Sequence, residues 1–165
     1  AASGAGTGGG GGPGVGGGVC IGPGTFPETL LPLAETMLFG NQPFIADMTE
    51  QAIRDGSGVA AGMARRFADR AERLHERLSR DTRLRVHRPQ AGMFALIDVS
   101  ATGMNGRDYA FHLLEYGKVA VMPGSSFGAT LDNWVRVALT VDDQSFATAC
   151  DRIVAHAAQL QAEPA

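Results

Sequence analysis

Cysteine is scarce in this sequence. Only Cys20 and Cys150 occur, far apart, with neither a CxxC pair nor a nearby histidine pair, so no disulfide framework or zinc site is indicated and a reducing cytoplasm fits best. Basic charge is short as well. With 14 Lys and Arg against 17 Asp and Glu, the net charge is −3 and the pI about 5.8, which removes the cationic surface that follows a phosphate backbone and argues against nucleic acid as a direct ligand. No uninterrupted apolar run approaches the roughly 20 residues that span a bilayer. The first residues carry neither a basic region nor an apolar signal core, so a soluble, unexported, cytoplasmic protein with no membrane partner is expected.

What the chain does have is glycine at one end and a patterned remainder. Residues 1–18 are almost all Gly, Ala, Ser or Thr, a composition with high backbone entropy and nothing to bury, which predicts a disordered tail. A phosphate-cradling loop is not indicated, because no strand precedes the tract and no GxxxxGK[ST] pattern occurs. With 44% hydrophobic residues, the rest is long enough for one domain with a core.

After Cys20, Ile21-Gly22-Pro23-Gly24 and Phe26-Pro27 punctuate an extended piece, and Leu30 to Phe39, interrupted by Pro32, predicts an irregular or partly helical lead-in. Gly40-Asn41-Gln42-Pro43 predicts a turn, then a helix to about Ile53 that Gly56-Ser57-Gly58 breaks. In the next helix Val59, Met63, Phe67, Ala71, Leu74 and Leu78 form one face. Arg65, Arg66, Asp69, Arg70, Glu72, Arg73, Glu76, Arg77 and Arg80 read as its solvated face, with Asp69/Arg73 and Glu76/Arg80 spaced for ion pairs. Leu84–His87 and Met93–Asp98 predict two strands. A helix follows from Asn105-Gly106 to a cap at Gly117, then a strand over Lys118–Met122, a loop over Pro123–Gly128, a strand over Trp134–Leu139 and a helix from about Asp142 with Phe146, Ala149, Ile153, Ala157 and Leu160 buried. The order implies an α+β fold, helices packed on one face of a short, mainly antiparallel sheet.

Arg136 is an obligate cation inside the apolar strand Trp134–Leu139. Alternation puts Val135, Val137 and Leu139 on one side and Arg136 with Trp134 and Ala138 on the other. Two readings fit: a guanidinium gripping a carboxylate through paired hydrogen bonds, or a rim arginine whose stem covers the tryptophan. The Ser/Gly loop before it permits close approach to a ligand or is a plain connection. His75, His87, His112 and His156 sit singly, without metal spacing. Asp98 reads as a cap or turn former, and Ser145 lacks a nucleophile context.

Three segments taken together, Gly92-Met-Phe-Ala-Leu-Ile-Asp98, Leu113-Leu-Glu-Tyr-Gly-Lys-Val-Ala-Val-Met-Pro-Gly-Ser-Ser-Phe-Gly128 and Trp134-Val-Arg-Val-Ala-Leu139, resemble the small C-terminal domain of class I and II aminotransferases, the aspartate aminotransferase superfamily of fold type I. Upstream, Ile21-Gly22-Pro23 and Met37 to Phe44 resemble the segment that leads from the large domain into the small one, so the likeness covers about Val19 to Leu160. The resemblance implies residues 1–18 as a tail, 19–42 as a large-domain remnant and lead-in, and 43–162 as the small domain. It implies an α-carboxylate-binding role for Arg136, pyridoxal 5'-phosphate as cofactor, amino acid and 2-oxo acid substrates, and the homodimer usual in the family.

The chain departs from that pattern. Residues 1–53 hold no Lys or Arg, and the sole lysine, Lys118, begins the small-domain strand, so the Schiff-base lysine, the phosphate-binding arginine and the large domain are missing. No residue is assigned a catalytic, cofactor-binding or metal-binding role. The expectation is a fragment, a truncated gene product or a mis-assigned start, inactive alone. Two rivals remain: an aminotransferase-like sensing domain of a transcription regulator, and a non-catalytic α+β interaction module.

Overall fold

The computed structural model describes residues 3–7, 17–21, 23–38, 42–56 and 58–162. The chain divides into two compact units, Ala1–Gly58 and Val59–Ala165.

In the first unit β1 (Ser3–Thr7) pairs antiparallel with β2 (Gly17–Ile21), Ser3 opposite Ile21 and Thr7 opposite Gly17. This corrects the expected disordered tail for those residues. That reading rested on missing side-chain burial, whereas a ladder uses main-chain donors and acceptors that glycine carries like any other residue. The residues between the strands lie outside those described. The lead-in is a regular helix, α1 (Phe26–Leu38), through Pro32. Helix α2 (Pro43–Asp55) opens as expected with proline in its first turn after an extended Gln42, and stops at Gly56, whose φ of 65° favours glycine. Gly40, Asn41 and Ser57, also used in predicting these boundaries, lie outside the described residues.

The second unit is the predicted α+β layer. Its sheet has the order β3 (Arg85–His87), β4 (Phe94–Asp98), β6 (Trp134–Ala138), β5 (Met122–Pro123), with every pairing antiparallel. Alternation works as read. Val86, Ala95, Ile97, Val135, Val137 and Leu139 are buried in one core with Leu74 and Leu78 of α3 (Gly58–Asp81), Tyr109 of α4 (Gly106–His112), and Phe146, Cys150 and Ile153 of α5 (Asp143–Ala162). Each such Val, Leu, Ile or Phe side chain contributes about 1.5–3 kcal/mol. Burial also holds the Cys150 thiol unreactive, pushing its pKa up to about 11 with the neighbouring Asp151.

Three local expectations change. Val59, at the start of the α3 stripe, is exposed, whereas Arg70, read as solvated, is only 4% exposed. Its Nη1 donates to the Leu139 carbonyl at 2.6 Å and its Nε to Asp143 at 2.9 Å. The ion pairs on α3 are also different ones, Arg77–Asp81 and Arg80–Asp81. After His112 the helix widens into a π turn over Leu113–Gly117, and the left-handed cap is Lys118 (φ 55°), not Gly117. A Cβ at Gly117 would meet only the tip of the Leu113 side chain, at 2.6 Å from Cδ1. Finally, the strand expected over Lys118–Met122 shrinks to Met122–Pro123. The Lys118 end is turned aside by its left-handed backbone, and its carbonyl accepts from Arg152.

Candidate carboxylate-binding site

Strand β6 carries Arg136 on the sheet face opposite the core, half-buried, across from Leu96 of β4 and Met122 of β5. Phe94 stands diagonal to it on β4, near enough for an aromatic ring to reach. Phe127 arrives from the 3-10 turn Gly124–Phe127 that follows β5. The Arg136 Cζ lies 4.0 Å from the Phe94 ring centre and 4.1 Å from that of Phe127. The two rings make no ring contact with each other. No carboxylate among the described residues pairs with it.

The rings beside the guanidinium are those of Phe94 and Phe127, a geometry compatible both with a carboxylate grip and with a stem that covers Trp134. A cation-π contact of this kind claims none of the guanidinium N–H donors. A free, planar pair of donors beside a glycine-containing loop can grip a carboxylate bidentately. The sequence put Arg136 on the right face but could not name its flanking rings, which come from segments distant along the chain.

Asp98 is a turn former, as expected. Its Oδ1 accepts from the Ser100 amide and hydroxyl, and its Oδ2 from Arg85, its partner across the strands. Burial opposes ionisation there, but those hydrogen bonds and the Arg85 charge prevail and hold the carboxyl below its ordinary value.

Two histidines are not single, as the sequence suggested. His112 Nδ1 and His156 Nε2 are 2.7 Å apart, joining α4 to α5 beside Tyr109, whose ring lies edge-on to His156. His156 Nδ1 and the Tyr109 hydroxyl are buried without a partner. If His112 donated, His156 would have to carry its proton on that partnerless Nδ1, so the less costly arrangement has His156 Nε2–H donating to His112. Every protonated form of the pair strands an N–H at His156 Nδ1. Burial, and then the charge of His112, push the His156 pKa below 6.5. The folded state therefore resists a proton that the unfolded chain accepts. Stability is full above about pH 6.5 and falls as pH drops towards the depressed folded value, with a slope of up to about 1.4 kcal/mol per pH unit for one proton. Urea unfolding at pH 7.5 and 5.5 should show that loss in the wild type and less of it in His156→Gln; equal losses would refute the assignment. Among the described residues no group of three or more His, Cys, Asp and Glu could hold a metal ion, and no helix is long and apolar enough to cross a membrane.

The family model for aminotransferase class I and II matches residues 11–153. The chain belongs to the class I and II aminotransferases. An arginine–pyruvate transaminase of Pseudomonas aeruginosa is 31% identical over 143 residues, which is 87% of this chain and 36% of that protein. An aromatic aminotransferase from Pyrococcus horikoshii superposes with a TM-score of 0.70 at 20% identity, over 87% of this chain and 39% of that one. Cystalysin from Treponema denticola, whose structure contains pyridoxal 5'-phosphate, superposes with a TM-score of 0.54 at 12% identity, over 57% of this chain and 24% of that one. This aminotransferase chain thus spans under two fifths of the first two relatives.

The described residues do not fit the cofactor. Its covalent attachment needs a lysine amine, and the only lysine, Lys118, is exposed at the end of the π turn, with Arg152 on its carbonyl. No step of a reaction is therefore derived through pyridoxal phosphate on this chain.

Proposed function

We propose that this chain is the C-terminal part of a pyridoxal-phosphate-dependent aminotransferase, with residues 43–162 as its small domain and 19–42 as the lead-in. The parent reaction moves an amino group between an amino acid and a 2-oxo acid, and Arg136 binds the α-carboxylate that both share. The observation that carries the reading is the Arg136 guanidinium, its carbon within 4.1 Å of two aromatic ring centres and its donors unclaimed by any acid among the described residues. Without a suitably placed lysine the chain alone binds the carboxylate and does not transfer the amino group. A cytoplasmic setting fits the paucity of cysteine.

Two measurements test this. Pyruvate added to the purified chain should shift the Arg136 Nε–Hε signal saturably in NMR, and Arg136→Leu should abolish the binding. After incubation with pyridoxal phosphate and dialysis, the chain should retain no visible band that borohydride fixes to a lysine. A specific adduct at Lys118 would overturn the non-catalytic reading, and binding that survives Arg136→Leu would overturn the role of Arg136.

A further inference from the structure

Two aromatic ring centres lie within 4.1 Å of the Arg136 guanidinium carbon. An arginine on a half-open sheet face ordinarily samples many rotamers, and fixing it on binding costs up to about 2 kcal/mol of side-chain entropy. With Phe94 and Phe127 about 4 Å from Cζ, most of that freedom is already lost in the absence of ligand. A cation-π contact claims none of the N–H donors, so two N–H groups of the guanidinium stay available to meet two coplanar oxygens. Phe94 is 39% and Phe127 47% exposed, outside the buried core.

We infer that Phe94 and Phe127 are positioning residues, an aromatic clamp that pre-orients Arg136 for in-plane, bidentate capture of a planar carboxylate. The inference rests on the carboxylate reading of Arg136 but adds a separable claim: affinity depends on aromaticity at 94 and 127, not merely on apolar bulk. A structural filler would be served equally by leucine. A cation-π clamp is served by tyrosine and lost with leucine.

The test is pyruvate titration of the full chain, followed at the Arg136 Nε–Hε resonance, for the wild type and for Phe94→Leu, Phe127→Leu, Phe94→Tyr and Phe127→Tyr. The remaining amide signals report that each variant is folded. Each leucine variant should bind on the order of fivefold more weakly, with the Arg136 signal losing its ring-current displacement, and each tyrosine variant should stay within about twofold of the wild type. If Arg136→Leu abolishes binding while both leucine variants bind as the wild type does, the clamp is refuted and the carboxylate role stands. If Arg136→Leu leaves binding unchanged, or the wild type gives no saturable shift, the carboxylate role falls and the clamp with it.

Discussion

Replacing Gly106 by alanine is expected to destabilise the second unit by about 3 kcal/mol or more, against the sign that helix propensity gives. Gly106 opens α4, and in an unencumbered helix position alanine would gain about 1 kcal/mol over glycine. Here the added Cβ would lie 2.2 Å from the Trp134 carbonyl oxygen and 2.8 Å from that of Asp132. Both obstacles are main chain, so no flexible tip can swing away. The Gly106 amide also donates to the Asp132 carbonyl at 2.6 Å, pinning the first turn where the clash occurs. Relief requires α4 to move off the start of β6, and overpacking of a close-packed interior costs 1–3 kcal/mol and sometimes more. Gly124 meets the same backbone, its Cβ position 2.3 Å from the Leu131 oxygen and 2.6 Å from that of Trp134. The same change there should be comparably costly. Gly62 is the control: it lies within α3 with nothing inside 4 Å, and Gly62→Ala should stabilise by about 0.5–1 kcal/mol. Urea unfolding of the three variants decides the matter, and a stabilised Gly106→Ala would sink the argument from close approach.

Those two glycines seat the strand that carries Arg136, and the sequence marks them as a helix start and a loop residue without showing that a neighbouring backbone requires them. Neither has a positive φ, so turn signals do not apply; they are glycine because another backbone passes close by. Strand β6 was legible because its buried positions alternate with exposed or partly exposed ones over five residues, and β4 because a mostly apolar run follows turn residues. Helix α2 was legible because Pro43 and Gly56 mark its ends. The family was legible because three short motifs occur in order, and the residues carrying them fall within the match at 11–153.

What stayed illegible is what depends on tertiary pairing. Phe94, Phe127 and Arg136 meet only once β4, β5 and β6 are in register, and periodicity within each segment does not supply that register. His112 and His156 lie 44 residues apart and are brought together by the docking of α4 on α5. The left-handed Lys118 broke an apolar run that alternation alone would extend, because a backbone conformation unfavourable to a non-glycine residue is set by its surroundings. Arg70 differs in kind. It stands three residues after Phe67 and four before Leu74, on the core-facing side, and was assigned to solvent on charge alone.

Arg70→Met is accordingly expected to cost about 2–3 kcal/mol, with most of the loss at the Leu139 carbonyl and not at the acid. The guanidinium is buried and has two partners. Asp143 keeps 67% of its side chain in solvent, so water replaces the arginine readily when the pair is broken, and Asp143→Ala alone should cost less than about 1 kcal/mol. The Leu139 carbonyl, on a fully buried residue at the end of β6, loses a charge-assisted donor at 2.6 Å, a bond of a kind worth about 1.5–3 kcal/mol. Methionine retains the apolar bulk of the stem, and the relief of no longer burying a cation offsets part of the loss, which is why the estimate stops short of the 3–5 kcal/mol typical when a buried charge is left unpaired. The competing expectation, that removing a buried cation is neutral or stabilising, holds where both members of a buried pair are replaced, and here the second partner is main chain that substitution cannot remove. A double-mutant cycle between Arg70→Met and Asp143→Ala separates the two partners: a coupling energy below about 1 kcal/mol beside a large single effect of Arg70→Met assigns the work to the Leu139 carbonyl, whereas a coupling that accounts for most of that effect would assign it to the acid instead.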